Sequence, residues 1–294
     1  MSFADELREE LCDLPVKKPC CRRALAEGLL VGAWERGKKQ ISVRYRSEVV
    51  ATLASAMIHQ QYAAVPESEM IGICGHRFYD LHFFSPAAAK LLARFDATGE
   101  EGELPLHQVC ESCRSAFLRG VFLAVGTLND PQRSFHLELL VLPSRATLLS
   151  RFLADCGYPA RRIGRRENVG LYYKGSGAVE DLAALMGAQT AIFKIINSRI
   201  ERDLRNNENR ATNCVAKNIE RSVSAAARQM EAIGRLIERG RLEALPEGLR
   251  TTAMVRYQNP DATLDELVAL HEPPISKSGL NHRLSKLLDA AEDL

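Results

Sequence analysis

The sequence predicts an α+β protein in which two copies of one αββαββα unit precede an all-α region. Three observations support this fold class. The chain resembles itself when it is shifted by 92 residues, which is typical of an internal repeat. The leading helix of each copy carries small residues at every fourth position. After residue 189 the alternation typical of strands disappears, and the chain ends in two short helices with recognisable caps.

Composition fits two domains without a membrane partner. The chain has 294 residues, of which 46% are apolar, and domains commonly have about 100–200 residues. Its 39 basic and 37 acidic residues give no overall charge excess. There is no apolar run of about 20 residues, and the N-terminus MSFADELREE lacks the apolar core of a signal peptide. We therefore expect a soluble, cytoplasmic protein.

The repeat is clearest where CRRALAEGLLVGAW (21–34) aligns with CRSAFLRGVFLAVG (113–126). Each copy then continues as a strand, a helix, a hairpin and a final helix. We predict the first repeat at 20–98 and the second at 112–188, within a pseudo-symmetric domain spanning 1–190. The predicted helices and hairpins lie at 48–62, 69–84 and 86–96, and at 145–156, 160–174 and 178–187.

The two leading helices share a ridge of small residues, namely Ala24, Gly28, Gly32 and Ala116, Gly120, Ala124. Glycine inside a helix costs about 1 kcal/mol relative to alanine, so a compensating contact is expected. A smooth ridge allows another helix to approach closely. We predict that the two helices pack on each other around a pseudo-two-fold axis. A buried helix that merely tolerates glycine is the alternative.

The C-terminal part is predicted to be helical. We expect a helical linker at 191–210, in which RNNENR (205–210) has loop composition, and a helix-turn-helix domain at 211–294 that includes a helix at 246–257 starting on Pro246. Thr263 and Glu266 form a capping box for one short helix. Two prolines prevent its continuation, and Ser276 caps a second helix.

The second capped helix has the composition of a DNA-recognition helix. Its apolar face is Leu280, Leu284, Leu287 and Ala291, and there is no acidic residue between 276 and 288. Lysine and arginine suit phosphates and guanine, asparagine suits adenine, and serine suits either. The candidate DNA-binding residues are Ser276, Lys277, Ser278, Asn281, His282, Arg283 and Lys286.

A second basic segment lies in the hairpin of repeat two. Five cations stand beside a single acid, Glu167: Arg161, Arg162, Arg165, Arg166 and Lys174. They indicate either a secondary phosphate contact or an ordinary solvated hairpin.

The eight cysteines of a cytoplasmic chain are expected to be reduced thiols. Cys110 and Cys113 form a CxxC pair, whereas Cys20 and Cys21 are adjacent. Because structural zinc sites usually use two well-spaced pairs, we expect these four to be small packing residues and expect no metal. A bound metal stays open as the alternative.

The segments ALAEGLLVGAW and AFLRGVFLAVG resemble the paired helices of LAGLIDADG homing endonucleases. CRSAFLRGVFLAVGTLNDPQRSFHLEL, residues 196–229 and PPISKSGLNHRLSKL (273–287) resemble the WhiA family of bacterial regulators more closely. This resemblance implies a LAGLIDADG-like domain, with two saddle-shaped sheets, fused to a helix-turn-helix domain. It also implies roles in transcription control, sporulation, cell division and chromosome segregation.

The acidic residues that hold metal in the endonucleases are replaced here by Ala33 and Val125. Because phosphodiester cleavage by Mg²⁺ needs carboxylate ligands, we expect no catalytic residues, no cofactor and no enzymatic activity. The next acids, Glu35 and Asp130, are not equivalent to each other in the repeat.

We therefore predict a sequence-dependent regulator that binds double-stranded DNA, is associated with the nucleoid, and has another transcription regulator as a further partner. The alternatives are a divergent metal-dependent homing endonuclease and an adaptor whose saddle binds a protein.

Overall fold

The computed structural model describes residues 2–73 and 75–292. The chain separates into two compact units, Met1–Asp203 and Leu204–Leu294. The predicted domain limits at 190 and 211 stay predictions.

The first unit contains a leading helix and the two repeats. Helix α1 (Phe3–Asp13) begins after Ser2, whose hydroxyl accepts a hydrogen bond from the Asp5 backbone N–H at 3.3 Å. Repeat one consists of α2 (Pro19–Leu29), β1 (Trp34–Glu35), β2 (Gln40–Tyr45), α3 (Glu48–Tyr62), β3 (Glu67–Ile73), β4 (His76–Phe84) and α4 (Pro86–Asp96). Repeat two consists of α5 (Glu111–Val125), β5 (Gly126–Leu128), β6 (His136–Val141), α6 (Pro143–Asp155), β7 (Arg161–Arg165), β8 (Asn168–Lys174) and α7 (Ser176–Met186). The αββαββα order predicted for both copies is confirmed.

Each repeat forms a four-stranded antiparallel sheet, with strand order β1-β2-β4-β3 or β5-β6-β8-β7. Alternate side chains of the central strands are buried beneath the helices: Ile41, Val43, Tyr45, Leu137, Leu139 and Val141. The intervening side chains lie on the other face of the sheet, which we call the open face. The two sheets therefore repeat both topology and the phase of burial.

The two repeats meet where α2 crosses α5. A Cβ atom added to Gly28 would overlap the Phe117 carbonyl oxygen and lie 3.0 Å from the Cα of Gly120. A Cβ on Gly120 would overlap the Leu25 carbonyl oxygen in the same way. Ala24 is fully buried and Ala116 nearly so, whereas Gly32 and Ala124 are half-buried. The two backbones touch, which is why a side chain is absent from both positions.

Helix α8 (Gln189–Glu238) runs without a break through 205–210, the part of the predicted helical linker whose composition indicates a loop. The loop interpretation of 205–210 is wrong. The chain has neither glycine nor proline between Gly187 and Gly234, so nothing breaks the helix. Asparagine costs at most about 0.7 kcal/mol per residue in a helix, and the neighbouring arginines and glutamate are good helix formers.

The second unit packs three further helices against the end of α8. They are α9 (Glu247–Gln258), α10 (Leu264–Ala269) and α11 (Lys277–Glu292), and a 3₁₀ turn (Leu242–Ala244) precedes them. Pro246 lies at the N-cap of α9 instead of the first helical position. The core contains Ala232, Ile233 and Leu236 of α8 together with Leu280, Leu284, Leu287 and Ala291 of α11. Among the described residues, no helix is both long and apolar enough to cross a membrane.

Candidate nucleic-acid interface

Two caps fix where α10 and α11 begin. The Thr263 hydroxyl accepts from the Glu266 backbone N–H at 3.3 Å, and the Glu266 carboxylate accepts from the Thr263 N–H at 2.7 Å. This backbone hydrogen bond holds the pKa of Glu266 below its ordinary value. The Ser276 hydroxyl accepts from the Gly279 N–H at 3.0 Å. Both caps satisfy backbone donors that a helix leaves free at its start.

With the leucines of α11 buried, its polar residues face outward. Ser276, Lys277, Ser278, Asn281, His282 and Lys286 are all exposed. The Lys277 ammonium also lies 2.8 Å from the Asp265 carboxylate, with both side chains largely exposed. Such a pair contributes little to stability, so Lys277 stays accessible to a phosphate.

Arg283 departs from this set because it is half-buried. Its Nη1 donates to the Gly248 carbonyl at 3.3 Å, and its guanidinium would contact a Cβ placed on Gly248. Arg283 therefore holds α11 against the start of α9, and a substitution there would change packing as well as the outer face.

His271 fixes the position of α10. Its side chain is 2% exposed, with Nδ1 2.7 Å from the Leu267 carbonyl and Nε2 3.0 Å from the Thr252 hydroxyl. It thereby joins α10 to α9. A single histidine in the sequence gives no signal for such a bridge.

The two positions predicted to correspond to the endonuclease acids lie just beyond α2 and at the end of α5. Ala33 is fully buried, and the Cγ1 of Val125 lies 2.8 Å from where a Cβ on Gly32 would stand. Glu35 and Asp130 instead accept hydrogen bonds at 2.9 Å from backbone N–H groups in their own turns, those of Lys39 and Gln132.

Buried arginines contact the carbonyls at these two helix ends. The Nη1 of Arg145 donates to the carbonyls of Val31 (2.7 Å) and Ala33 (2.5 Å). The Nη2 of Arg8 donates to the Gly126 carbonyl at 2.9 Å. A cation is favoured at a helix C-terminus. Positive charge near these ends is therefore supplied by side chains of the protein itself.

The basic hairpin of repeat two is divided between the two faces of its sheet. Arg161 and Arg165 lie on the open face, because they are opposite Tyr172 and Asn168. Arg162 lies on the helix side, where its Nε donates to the Ser150 hydroxyl at 2.8 Å. Arg166 is exposed in the turn and Lys174 at the end of β8.

Arg165 is already paired with an acidic residue of its own sheet. Its Nε lies 2.8 Å from the Glu138 carboxylate, and this hydrogen bond lowers the pKa of Glu138. Arg161, Arg166 and Lys174 are the members of the predicted set best placed to meet a ligand on the open face.

The corresponding face of repeat one is acid-rich. Arg44 forms two 2.7 Å hydrogen bonds with Asp80, and Glu69 lies 3.8 Å from the His82 ring. Its outer strand β3 begins with Glu67. The open faces of the two sheets therefore differ in charge although their folds match.

Comparisons with known proteins match two separate parts of this chain to two domains of one family. The model of the WhiA LAGLIDADG-like domain matches residues 114–205, and that of the WhiA C-terminal helix-turn-helix (HTH) domain matches residues 209–291. A protein from Syntrophomonas wolfei, named probable cell division protein WhiA, is 31% identical over 320 residues that cover 100% of this chain and 99% of its own. This chain belongs to the WhiA family.

Further members support the family and its fold. The protein of the same name from Desulforamulus reducens is 33% identical, with 100% of this chain and 96% of its own covered. The crystal structure of full-length DUF199/WhiA from Thermotoga maritima matches with a TM-score of 0.58 and 23% identity, covering 100% of this chain and 99% of that one. The fold is thus the WhiA fold, a LAGLIDADG-like domain followed by a helix-turn-helix domain.

In this WhiA-family chain, four thiols that the sequence predicts only as small packing residues lie close together at the N-terminal ends of α2 and α5. The Cys110 sulfur lies 3.7 Å from that of Cys20 and 3.6 Å from those of Cys21 and Cys113. Hydrogen bonding from the Cys21 thiol lowers the pKa of Cys110 to about 7. Local spacing did not predict this cluster, because its two halves come from different repeats.

Proposed function

We propose that this WhiA-family protein is a sequence-dependent binder of double-stranded DNA that regulates transcription and does not cleave DNA. The observation that carries the proposal is the outer face of α11. It is exposed, polar and basic, and it holds no acidic residue between 276 and 288. It lies on a capped helix whose buried residues are all apolar. Helix-turn-helix domains read base edges in the major groove with such a face.

Individual roles follow from chemistry and exposure. Asn281 lies in the second turn of α11 and can form two hydrogen bonds with adenine. Lys277 and Lys286 suit phosphates, while Ser276, Ser278 and His282 suit either bases or backbone. Of the candidate residues on α11, Arg283 contributes least to direct DNA contact, because its guanidinium already donates to the Gly248 carbonyl.

The open face of the second sheet is proposed as a weaker contact. Arg161, Arg166 and Lys174 would meet phosphates there without reading bases. The acid-rich first sheet would contribute little, since Asp80 already neutralises Arg44.

The absence of nuclease activity is part of the same proposal. Ala33 and Val125 offer no oxygen ligand from their side chains, and the nearby carbonyls already accept from Arg145 and Arg8. The neighbouring acids Glu35 and Asp130 are held in separate turns. We infer that the endonuclease scaffold is retained here for positioning.

The biological setting comes from the relatives. Because similar proteins are named probable cell division protein WhiA, we infer that the regulated genes serve cell division, and that the protein acts in the cytoplasm at the nucleoid. Roles in sporulation and chromosome segregation, and a second transcription regulator as partner, follow only from the family resemblance.

Binding to a DNA target selected from random sequences tests the proposal. We expect Asn281→Ala to weaken specific binding by about 1–3 kcal/mol. Lys286→Ala should lower the slope of log K against log salt by about 0.9. Lys90→Ala, a change at an exposed lysine on α4, is the control and should alter neither.

Two results would contradict the proposal. Binding that does not depend on salt would favour the protein adaptor, because phosphate contacts release counterions. Cleavage of the selected target in the presence of Mg²⁺ or Mn²⁺ would favour the endonuclease.

A further inference from the structure

We propose that Cys20, Cys21, Cys110 and Cys113 bind one structural Zn²⁺ ion that joins the N-terminal ends of α2 and α5. This site is independent of the DNA-binding face. Among the described residues, this is the one group of three or more cysteine, histidine or acidic side chains whose ligand atoms converge.

The sulfur positions match a tetrahedral zinc site. A zinc–sulfur distance of 2.3 Å places the four sulfurs of a regular tetrahedron about 3.8 Å apart. Three of the sulfur–sulfur distances are 3.6, 3.6 and 3.7 Å, and all four atoms lie within 4.8 Å of one another. An iron–sulfur cluster would hold its cysteine sulfurs farther apart, because iron and sulfide lie between them.

The backbone favours thiolates at these positions. Cys20 and Cys21 follow Pro19 in the first turn of α2, while Cys110 is the N-cap of α5 and Cys113 lies in its first turn. The partial positive charge of a helix N-terminus stabilises a thiolate. Two helix starts converge on one group of sulfurs, so both contribute.

A buried arginine supplies a second, independent observation. Arg119 is 6% exposed, and its Nε and Nη2 have no hydrogen-bond partner. It lines the same cleft as Cys21, Lys17 and Lys18. Two buried guanidinium nitrogens without a hydrogen-bond partner are costly. Zinc with four thiolates carries two negative charges, which would compensate Arg119.

The ion would have a structural role. Binding exchanges four thiol protons for one Zn²⁺, and four protein ligands leave no open position for catalysis. The site lies at the N-terminal ends of the same two helices whose backbones touch at Gly28 and Gly120. Zinc would thus fix the helix ends on one side of that crossing.

The test is the metal content of the full-length protein, purified under reducing conditions without chelator. We expect about one zinc per chain. Cys110→Ser and Cys113→Ser should each lose the zinc, whereas the matched control Cys214→Ser, at an exposed cysteine of α8, should retain it. Arg119→Met should weaken zinc retention against a chelator, because it removes a positive charge from the cleft that Cys21 also lines.

Cobalt(II) gives a second readout that does not depend on how well a variant folds. Co²⁺ added to the wild-type protein should give the charge-transfer and d–d bands of a tetrahedral tetrathiolate site, and zinc should displace it. Wild-type protein with free, reactive thiols and no metal would overturn the proposal. So would a disulfide among the four cysteines, or iron in place of zinc.

Discussion

At the crossing of α2 and α5, a hydrogen atom is the largest side chain that fits. A Cβ on Gly28 would lie 2.9 Å from the Val121 nitrogen and overlap the Phe117 carbonyl oxygen. We expect Gly28→Ala to destabilise the protein by about 1–3 kcal/mol through overpacking, measured by urea unfolding. Gly99→Ala is the control, because Gly99 is exposed with no atom within 4 Å of an added Cβ. Equal stability of both variants would show that the helices are not in backbone contact.

The buried guanidinium of Arg145 makes stability depend on pH. Burial raises the pKa of Asp96, but hydrogen bonds from Arg145 and Ser144 outweigh it, so the pKa lies below its ordinary value. A lowered carboxyl pKa gives stability that is present above the unfolded-state pKa, about 3.9, and is lost as the pH falls through the folded-state pKa.

Asp96→Asn should therefore cost about 1–3 kcal/mol at pH 7, because it weakens the partner of a buried charge. Solvent screening should keep the measured loss of stability near the lower end of this range, since the Asp96 side chain is 39% exposed. In urea unfolding, the stabilities of variant and wild type should converge as the pH falls from about 4 through the lower folded-state pKa of Asp96. A difference that stays constant with pH would exclude the ion pair as its source.

At the scale of elements, α8 is the sharpest departure from the sequence prediction. Its residues 203–224 are exposed, so the segment around RNNENR is helical without burying an apolar face. We expect amide hydrogens of 205–210 to exchange more slowly than those of the loop 99–105 in hydrogen-exchange mass spectrometry. Equally fast exchange would restore the loop interpretation.

Elements with local signals were predictable. The helices predicted at 48–62 and 86–96 match α3 and α4 to the residue. The signals that bound a helix are local, as in α4, where Ser85 is the cap and Pro86 the first helical residue. The buried leucines of α11 and the capping box at Thr263 were predicted for the same reason.

Sites formed between distant segments were not predictable. The thiol cluster depends on how two helix starts meet, and Arg145 reaches carbonyls more than 100 residues away. The half-burial of Arg283 depends on where α9 packs. A sequence pattern along one helix identifies a face but not the neighbour that covers one end of it.

For the whole molecule, the two pseudo-symmetric sheets have diverged in charge while keeping one fold. Arg161 and Arg166 are exposed in the hairpin of repeat two, whereas Arg44 of repeat one is neutralised by Asp80. If both sheets were to contact the phosphates of a DNA duplex, both would need similar cations on their open faces. We therefore expect the two-sheet N-terminal unit to add DNA affinity that depends little on sequence. We expect α11 to supply most of the sequence specificity.

The ratio of Kd for unrelated DNA to Kd for the selected target, measured with the intact protein at one salt concentration, tests this division most directly. The ratio should fall by about 5–150-fold in Asn281→Ala, corresponding to 1–3 kcal/mol. It should be unchanged in Arg161→Ala/Arg166→Ala, where both affinities weaken together, and in the control Arg77→Ala, which alters the equivalent hairpin of repeat one. The opposite result would be a Kd ratio that is unchanged in Asn281→Ala and falls strongly in Arg161→Ala/Arg166→Ala. It would contradict α11 as the helix that reads the bases and would assign the specificity to the second sheet.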